Sequence, residues 1–280
     1  MSEKDKSKQY WSMTEGVFNC LIDEERTKAF RSAILNTVKR GDVVVDMGTG
    51  SGVLAMLAAE AGAEKVYAVE FDENNVKTLE NTFRVNNVSN QIILIQGDVT
   101  KVDIPEKVDV IIGEMIATGL IEELQVPANN NILRFANKDV KVLLKRYKTY
   151  IDLVNNKEDY YGHKFKVVRY EYPDLKKLRS VSFSDRYLIS DVDFTKVNED
   201  LSVGEVLEVK VKKNGTINSI RISSDTIFFD DSTLGPTFAY SYPIILPVES
   251  IIVKKGDILK VEISYKICGG MHTLNYSLNK

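Results

Sequence analysis

A glycine-rich run, VVVDMGTGSG at residues 43–52, determines the fold that the first half of the chain can adopt. Its three consecutive valines predict a buried strand, and its alternating glycines allow the backbone to turn tightly beneath a ligand. Residues 53–59 then begin a helix whose positive end faces that turn. Glu70 ends a second apolar strand, twenty residues past Gly50, where a carboxylate can accept both hydroxyl protons of an adenosine ribose. The pattern predicts a nucleotide-cofactor site.

The glycine spacing narrows the choice of cofactor. Gly48-x-Gly50-x-Gly52 departs from the G-x-G-x-x-G pattern that packs a helix against a dinucleotide pyrophosphate, so an NAD-binding dehydrogenase is a distant alternative. Asp46 would lie close enough to attract an ammonium group, and S-adenosylmethionine carries one. Taken alone, a glycine triplet is also found in ordinary strand–helix turns, but together with Glu70 it predicts S-adenosylmethionine as the cofactor.

Composition excludes several classes of protein. The chain has 280 residues, of which 44% are hydrophobic, so it can bury one large core or two of moderate size. Its 37 basic and 40 acidic residues give a net charge of −3, which does not favour nucleic acid or an anionic membrane as a partner. Residues 138–148 hold five Lys or Arg, which we interpret as a solvated strand edge. Without a long apolar run or a signal-peptide core, we expect a cytoplasmic protein with no membrane segment.

Cysteine and histidine do not indicate a metal site. Cys20 and Cys268 are the only cysteines, and His163 and His272 the only histidines. None has another metal-ligating side chain at ligand spacing. We therefore predict no bound metal and a reducing compartment.

Strand and helix patterns alternate through the first half of the chain and change character near residue 146. The first half predicts a doubly wound α/β sheet, and the short alternating runs after residue 146 predict antiparallel strands. We expect an N-terminal helical segment at 1–40, a Rossmann-like domain at 41–145 and an all-β domain at 146–280. Helical spacing covers 13–38, predicted strands cover 43–48, 65–70, 91–96, 108–113 and 140–145, and predicted helices cover 52–61, 73–86 and about 118–136.

Three stretches, LIDEERTKAFR at 21–31, VVDMGTGSG at 44–52 and AGAEKVYAVE at 61–70, resemble the protein arginine methyltransferases. The resemblance implies a class I methyltransferase domain that binds S-adenosylmethionine, a β-barrel domain that binds the acceptor, and an N-terminal segment that covers the cofactor. It implies that Arg26 grips the methionine carboxylate, for which a guanidinium fork is well shaped. Asp98 stands where related methyltransferases often contact adenine, or it is a turn residue at a strand end. The predicted cofactor-binding set is Arg26, Asp46, Gly48, Thr49, Gly50, Gly52, Glu70, Phe71, Asp98 and Val99.

The stretch GEMIATGLIEE at 113–123 resembles the paired-glutamate loop of the same family. Glu114 and Glu123 are nine residues apart, as they are there, and they are the predicted catalytic residues. Two carboxylates can hold a guanidinium so that one nitrogen faces the methyl carbon. Glu114 follows a buried strand, at the edge where ligands bind. For Glu122 and Glu123 a solvated helix surface is the alternative.

The later part of the chain departs from the family. Phe238-Ala239-Tyr240 stands where the family has Thr-His-Trp, and the family's helix histidine is replaced around Val17. Tyr10 and Trp11 lie near the position of a paired aromatic motif and are expected to cover the cofactor. The stretch between Glu123 and Tyr240 is shorter than in the family, where a dimerisation arm projects, so the sequence does not predict the family's ring-shaped dimer.

The sequence therefore predicts a methyltransferase that acts on a protein side chain, with arginine as the first choice. Methylation of a thiol, a small amine or RNA is the first alternative, because the Thr-His-Trp motif is missing. A non-catalytic module that binds the cofactor and holds a partner is the second.

Overall fold

The structure is a computed structural model that describes residues 14–173 and 175–280. The expected cover formed by Tyr10 and Trp11 lies outside the described residues.

The first half forms a five-stranded parallel sheet. Its strands are β1 (Val43–Met47), β2 (Lys65–Glu70), β3 (Ile92–Gln96), β4 (Val108–Gly113) and β5 (Ala136–Val142). Their order is β3-β2-β1-β4-β5, so strands are added to one side of β1 up to β3 and to its other side from β4 onward. Val45 pairs with Tyr67 on one side and with Ile111 on the other. This arrangement confirms the predicted Rossmann-like sheet and brings the carboxyl ends of β1, β2 and β4 to one edge.

Helices cover this sheet, which explains why its central strands are mostly apolar. They are α1 (Thr14–Ile22), α2 (Glu24–Thr37), α3 (Val53–Glu60), α4 (Glu73–Val85) and α5 (Gln125–Ile132). Phe30, Ala33, Ile34 and Thr37 are the buried stripe of α2, at the spacing of one helix face. The predicted helical stretch at 13–38 is broken at Asp23, because the Asp23 side chain accepts the Arg26 backbone N–H and caps a new helix.

The second half is built of antiparallel strands joined by turns and short 3-10 segments. One sheet is built around the path β10-β6-β13-β15-β9, and another has the order β12-β16-β17. This confirms the predicted β-barrel or sandwich. The strands are β6 (Leu144–Asn155), β7 (Asp159–Tyr160), β8 (His163–Lys164), β9 (Arg169–Tyr170), β10 (Val181–Ser182), β11 (Tyr187–Asp193), β12 (Ser202–Lys210), β13 (Gly215–Phe228), β14 (Thr233–Leu234), β15 (Ile244–Val253), β16 (Ile258–Lys266) and β17 (Asn275–Asn279).

The predicted strand at 140–145 is divided between the two halves. The Leu143 N–H still donates to Ile111 of β4, at 2.8 Å, whereas Leu144 pairs with Phe228 of β13. The chain therefore passes from the parallel to the antiparallel sheet within two residues. Both leucines are buried, which is why the pattern looks like one strand.

Within residues 14–173 and 175–280, every helix is too short or too polar to cross a lipid bilayer.

Candidate active site

The predicted cofactor loop lies between β1 and α3. Gly48, Gly50 and Gly52 all have positive φ, which favours glycine. A Cβ on Gly52 would lie 2.7 Å from the Phe83 ring, so no larger residue fits there without displacing the core. The Thr49 N–H donates to the Val69 carbonyl at 2.9 Å and fixes the loop to the end of β2.

Glu70 lies at the end of β2, directly beneath this loop. One carboxylate oxygen accepts the Phe71 and Asp72 N–H groups at 2.8 and 2.9 Å, and the other accepts the Gly50 N–H at 3.2 Å. The carboxylate is thus held rigidly, with 9% of the residue still exposed. Phe71 is 40% exposed beside it, where an apolar ring can cover a ligand.

Asn75 was not singled out by the sequence. Its Nδ2 donates to Glu70 Oε2 at 2.9 Å and to the Gly50 carbonyl at 2.7 Å, so one side chain joins the acid to the glycine loop. The only local signal is its position in the first turn of α4. A place in the first turn of a helix does not indicate that the Asn75 amide will contact Glu70 and the Gly50 carbonyl.

Asp46 is fully buried at the end of β1. Its Oδ2 accepts the Thr49 hydroxyl at 2.6 Å, and its Oδ1 has no hydrogen-bond partner among the described residues. Burial raises the pKa of this carboxyl to about 7, although the bond from Thr49 opposes the shift. An unsatisfied buried acceptor suits an ammonium-bearing ligand, so the residues present fit the predicted cofactor. Contact between Asp46 and that ammonium stays a prediction.

Asp98 and Val99 follow β3 at the same edge of the sheet. Asp98 Oδ1 accepts the backbone N–H and the hydroxyl of Thr100, and Oδ2 contacts Lys101 at 2.6 Å. These bonds lower the pKa of the Asp98 carboxyl, against the effect of its partial burial. The geometry is that of a turn aspartate, which was the alternative interpretation, and contact with adenine stays a prediction. Val99 is buried, and its carbonyl accepts the Asn131 side chain at 3.0 Å.

Arg26 joins the two predicted parts of the site. Its guanidinium contacts Glu114 Oε2 through both Nε and Nη2, the former at 3.0 Å, and Nη1 donates to the Cys20 carbonyl at 3.1 Å. The two side chains are only 5% and 7% exposed. The sequence predicted each residue, one for the cofactor and one for the acceptor, but not the ion pair between them. Both are brought to the carboxyl end of β4.

Glu123 lies on the non-helical segment that precedes α5, so the helix-surface alternative does not describe it. It is half-buried, whereas Glu122 is exposed. Burial, together with the charges of Glu114 and Glu122, raises the pKa of Glu123 to about 8. A cation that approaches Glu123 would stabilise its charged carboxylate form.

The loop that carries the two glutamates is shaped by the β half. The Gly119 N–H donates to Ser224 Oγ at 3.2 Å. The Cys268 and Gly270 N–H groups donate to the carbonyls of residues 120 and 121, both at 2.7 Å. Leu120 has a φ of 56°, a conformation that these long-range bonds maintain. The acceptor loop therefore belongs to both halves of the molecule.

Phe238-Ala239-Tyr240, which the sequence aligns with the family's Thr-His-Trp motif, lies beside the start of α2. Asp23 Oδ2 accepts the Thr237 hydroxyl and, at 2.7 Å, the Ala239 N–H. Tyr240 is buried, with its ring edge-to-face against Phe30 at 6.1 Å between centroids, so it is a core residue. The sequence did not identify Asp23 as the link, although an Asp followed by two Glu is a typical helix start.

The two thiols have no sign of nucleophilic activation. Burial raises the pKa of Cys20 to about 12 and that of Cys268 to about 11, so both stay protonated near neutral pH. Within the described ranges, no group of three or more His, Cys, Asp or Glu could hold a metal ion.

Comparisons with known sequences find methyltransferases among the proteins that this chain resembles. The family model of ribosomal protein L11 methyltransferase (PrmA) matches residues 25–134. An uncharacterized protein of Methanocaldococcus jannaschii is 32% identical over 263 residues, which covers 93% of this chain and 95% of that protein. Protein arginine N-methyltransferase 1 of Schizosaccharomyces pombe is 26% identical, with coverage of 95% and 85%. PRMT10 of Oryza sativa subsp. japonica is 45% identical, but the match spans only 27% of its length.

Solved structures share the whole fold. The chain matches the Trypanosoma brucei PRMT1 enzyme–prozyme heterotetrameric complex with AdoHcy at a TM-score of 0.78 and 18% identity. The match covers 96% of this chain and 98% of that one. Both the parallel sheet and the antiparallel half are therefore present in that structure.

Proposed function

Because the chain belongs to the protein arginine methyltransferase-like family of S-adenosylmethionine-dependent methyltransferases, we propose that it methylates arginine side chains of proteins. The observation that supports this most is the pair Glu114 and Glu123 at the carboxyl end of β4. The loop that bears them adjoins the glycine loop, where Met115 packs against Gly48. A cationic acceptor held by these carboxylates would lie next to the cofactor.

S-adenosylmethionine supplies a methyl group that is already activated by its positive sulfur. We assign Glu70 to the ribose hydroxyls, with Asn75 and the Gly50 N–H holding its carboxylate in place. Asp46 and Arg26 are the proposed partners of the ammonium and carboxylate groups. We assign the rest of the cofactor to the residues of the glycine loop, together with Phe71 and Val99.

The charges of the glutamate pair favour a guanidinium as the acceptor. Arg26 already neutralises Glu114, whereas no ion pair among the described residues includes Glu123. An arginine of a substrate would provide the missing positive charge, and its planar group can contact two carboxylates at once. This would hold one nitrogen in line with the methyl carbon, so catalysis would depend mainly on positioning.

The attacking nitrogen must lose a proton as its new bond to carbon forms. Glu123 is the proposed acceptor of that proton, because a bound guanidinium would favour its carboxylate form and place the nitrogen beside it. The family's Thr-His-Trp histidine is absent here, so it cannot take this role.

The proposal is tested by Glu114→Gln, which removes one negative charge and leaves the size of the side chain. Transfer to an arginine-containing peptide should fall by roughly 100-fold or more in kcat/KM, the scale of losing one transition-state contact. Binding of S-adenosylhomocysteine should persist, because the glutamine oxygen can still accept from Arg26 and so keep its guanidinium in place. Glu80→Gln, on the exposed surface of α4, is the matched control and should retain full activity. A fully active Glu114→Gln would refute the assigned role.

Other acceptors are tested by incubating the protein and labelled S-adenosylmethionine with a cell extract in place of the peptide. Label from the cofactor that is lost on nuclease treatment would indicate RNA. Label that does not precipitate with protein would indicate a small amine or thiol.

A further inference from the structure

Three tyrosines form a cluster on the β half, and we call Tyr170, Tyr172 and Tyr242 the tyrosine triad. The ring centroids of Tyr172 and Tyr242 are 4.8 Å apart, and each lies within 6.5 Å of Tyr170. Tyr170 and Tyr172 alternate along one extended segment, so their side chains project to the same side. Tyr172 is 44% exposed, which distinguishes the triad from core tyrosines such as Tyr240.

The triad adjoins the loop that carries the glutamate pair. Tyr170 donates its hydroxyl to Glu122 Oε2 at 2.6 Å, and Glu122 is the direct neighbour of Glu123. On the other side, the Thr118 hydroxyl donates to the Tyr242 carbonyl. Two separate contacts thus fix the triad beside the proposed acceptor pocket.

The electrostatics of this surface favour a cation. Aromatic faces carry partial negative charge, and here they adjoin an exposed carboxylate. Burial raises the pKa of the Tyr170 hydroxyl, and the hydrogen bond to Glu122 raises it further. The hydroxyl therefore stays protonated and remains a donor. No ion pair among residues 14–173 and 175–280 includes Glu122, which accepts the Tyr170 hydroxyl instead.

We propose that the tyrosine triad and Glu122 form a second subsite, which binds another arginine of the same acceptor polypeptide while the first is methylated. The inference rests on the proposed function. A guanidinium is favoured over an ammonium because it is planar, stacks on an aromatic face and can still donate to a carboxylate. The enzyme would then prefer segments with more than one arginine.

The test compares two peptides that are identical except that one has a single arginine and the other has a second arginine two to six residues away. For the unaltered protein, kcat/KM should be about 5- to 30-fold higher with the two-arginine peptide, the range expected of a partly desolvated cation–π contact. A peptide with lysine as its second basic residue should show a smaller preference.

Tyr172→Leu removes the aromatic face but keeps an apolar side chain, and it should reduce the two-arginine preference to about 2-fold or less. Tyr172→Phe retains the face and should retain most of the preference. Tyr161→Leu is the control, because Tyr161 is a 96% exposed aromatic on the same stretch and makes none of these contacts. Glu122→Gln provides a second variant, which should also reduce the preference.

An unchanged preference in both Tyr172→Leu and Glu122→Gln would overturn the subsite, as would the lack of any preference in the unaltered protein. In either case both peptides are still methylated, so the proposed function survives. If the unaltered protein methylates neither peptide, the proposed function fails and the subsite fails with it.

Discussion

The two ends of the site are built in different ways. At the cofactor end, the groups that hold Glu70 all come from residues 50–75, between the glycine loop and the first turn of α4. At the acceptor end, the loop that carries Glu114 and Glu123 has some local hydrogen bonds, but it is also held by residues 105 to 149 positions away in the chain. One end is encoded locally, and the other is assembled from both halves of the molecule.

This difference indicates which part of the site can change without loss of the fold. The glycine loop and Glu70 depend on each other and on their immediate neighbours, so a substitution there has few ways to be compensated. The acceptor loop depends on the β half, and there Phe238-Ala239-Tyr240 has replaced the family's Thr-His-Trp while Asp23 still holds the backbone. The side chains that line the acceptor pocket can thus change while the cofactor site stays the same.

The largest effect on cofactor affinity is expected from Glu70→Gln. An amide cannot accept from both the ribose and the surrounding N–H groups, and hydrogen bonds to a charged group contribute about 1.5–3 kcal/mol each. Affinity for S-adenosylhomocysteine should therefore fall roughly 10- to 100-fold, as measured by calorimetric titration. Asn75→Ala should weaken binding less, because it leaves the carboxylate in place.

Glu73→Gln is the matched control for that experiment, since Glu73 is an exposed residue of α4 that pairs with Lys77. Its affinity should equal that of the unaltered protein. If Glu70→Gln binds S-adenosylhomocysteine as tightly as Glu73→Gln does, the Glu70 carboxylate does not hold the cofactor.

An intermediate effect is expected at the junction between the halves, from Asp23→Asn. The amide can still cap α2, but it offers only one acceptor oxygen to the three donors at Arg26, Thr237 and Ala239. Loss of one such buried bond should lower the free energy of unfolding by about 1–3 kcal/mol. Denaturant unfolding measures this.

In the same variant the kcat for acceptor methylation should fall more than the affinity for S-adenosylhomocysteine, because the loosened loop borders the acceptor pocket. Glu24→Gln, an exposed neighbour in the first turn of α2, should change neither quantity. Equal losses of kcat and of affinity would contradict the idea that Asp23 acts on the acceptor pocket by holding Thr237 and Ala239 in place.

The smallest effect is a dependence on pH with opposite signs for stability and activity. The folded-state pKa values of Glu123 and Asp46 lie above those of ordinary carboxyls, at about 8 and about 7. The folded protein therefore binds more protons than the unfolded chain at neutral pH, and its stability should fall as pH rises from 6 to 9. Acceptor methylation requires the Glu123 carboxylate, so kcat/KM should rise over the same interval.

Glu123→Gln removes one of these two titrations, so its stability should change less between pH 7 and 9. Melting temperatures across that range measure the difference, with Glu80→Gln as the control. A Glu123→Gln variant whose stability follows the unaltered protein at every pH would show that this carboxyl does not titrate there.

The local part of the fold could be predicted from the sequence in detail. The valine run, the glycine triplet and Glu70 lie within 28 residues, and their spacing alone indicates strand, turn and second strand. The two glutamates were predicted from the resemblance of residues 113–123 to the paired-glutamate loop, and the position of Glu114 after a buried strand supported one of them. Their catalytic roles stay predictions.

Contacts between distant residues could not be predicted in the same way. Arg26 and Glu114 are 88 residues apart, and Asp23 is 216 residues from Ala239. Each pair is created by the packing of α2 against both halves, which no local pattern encodes. The break in the helix at Asp23 has a local cause, the cap on the Arg26 N–H, but the contact of its second oxygen with residues 237 and 239 could not be predicted.

The identity of the methylated residue tests the proposed reaction. The protein is incubated with S-adenosylmethionine labelled on its methyl group and an extract of cells that lack the protein, and the labelled proteins are hydrolysed to amino acids. We predict that the label is found in methylated arginine and is absent when Glu114→Gln is used. Label in methylated lysine, in another amino acid or in nucleic acid would contradict an acceptor site built for a guanidinium.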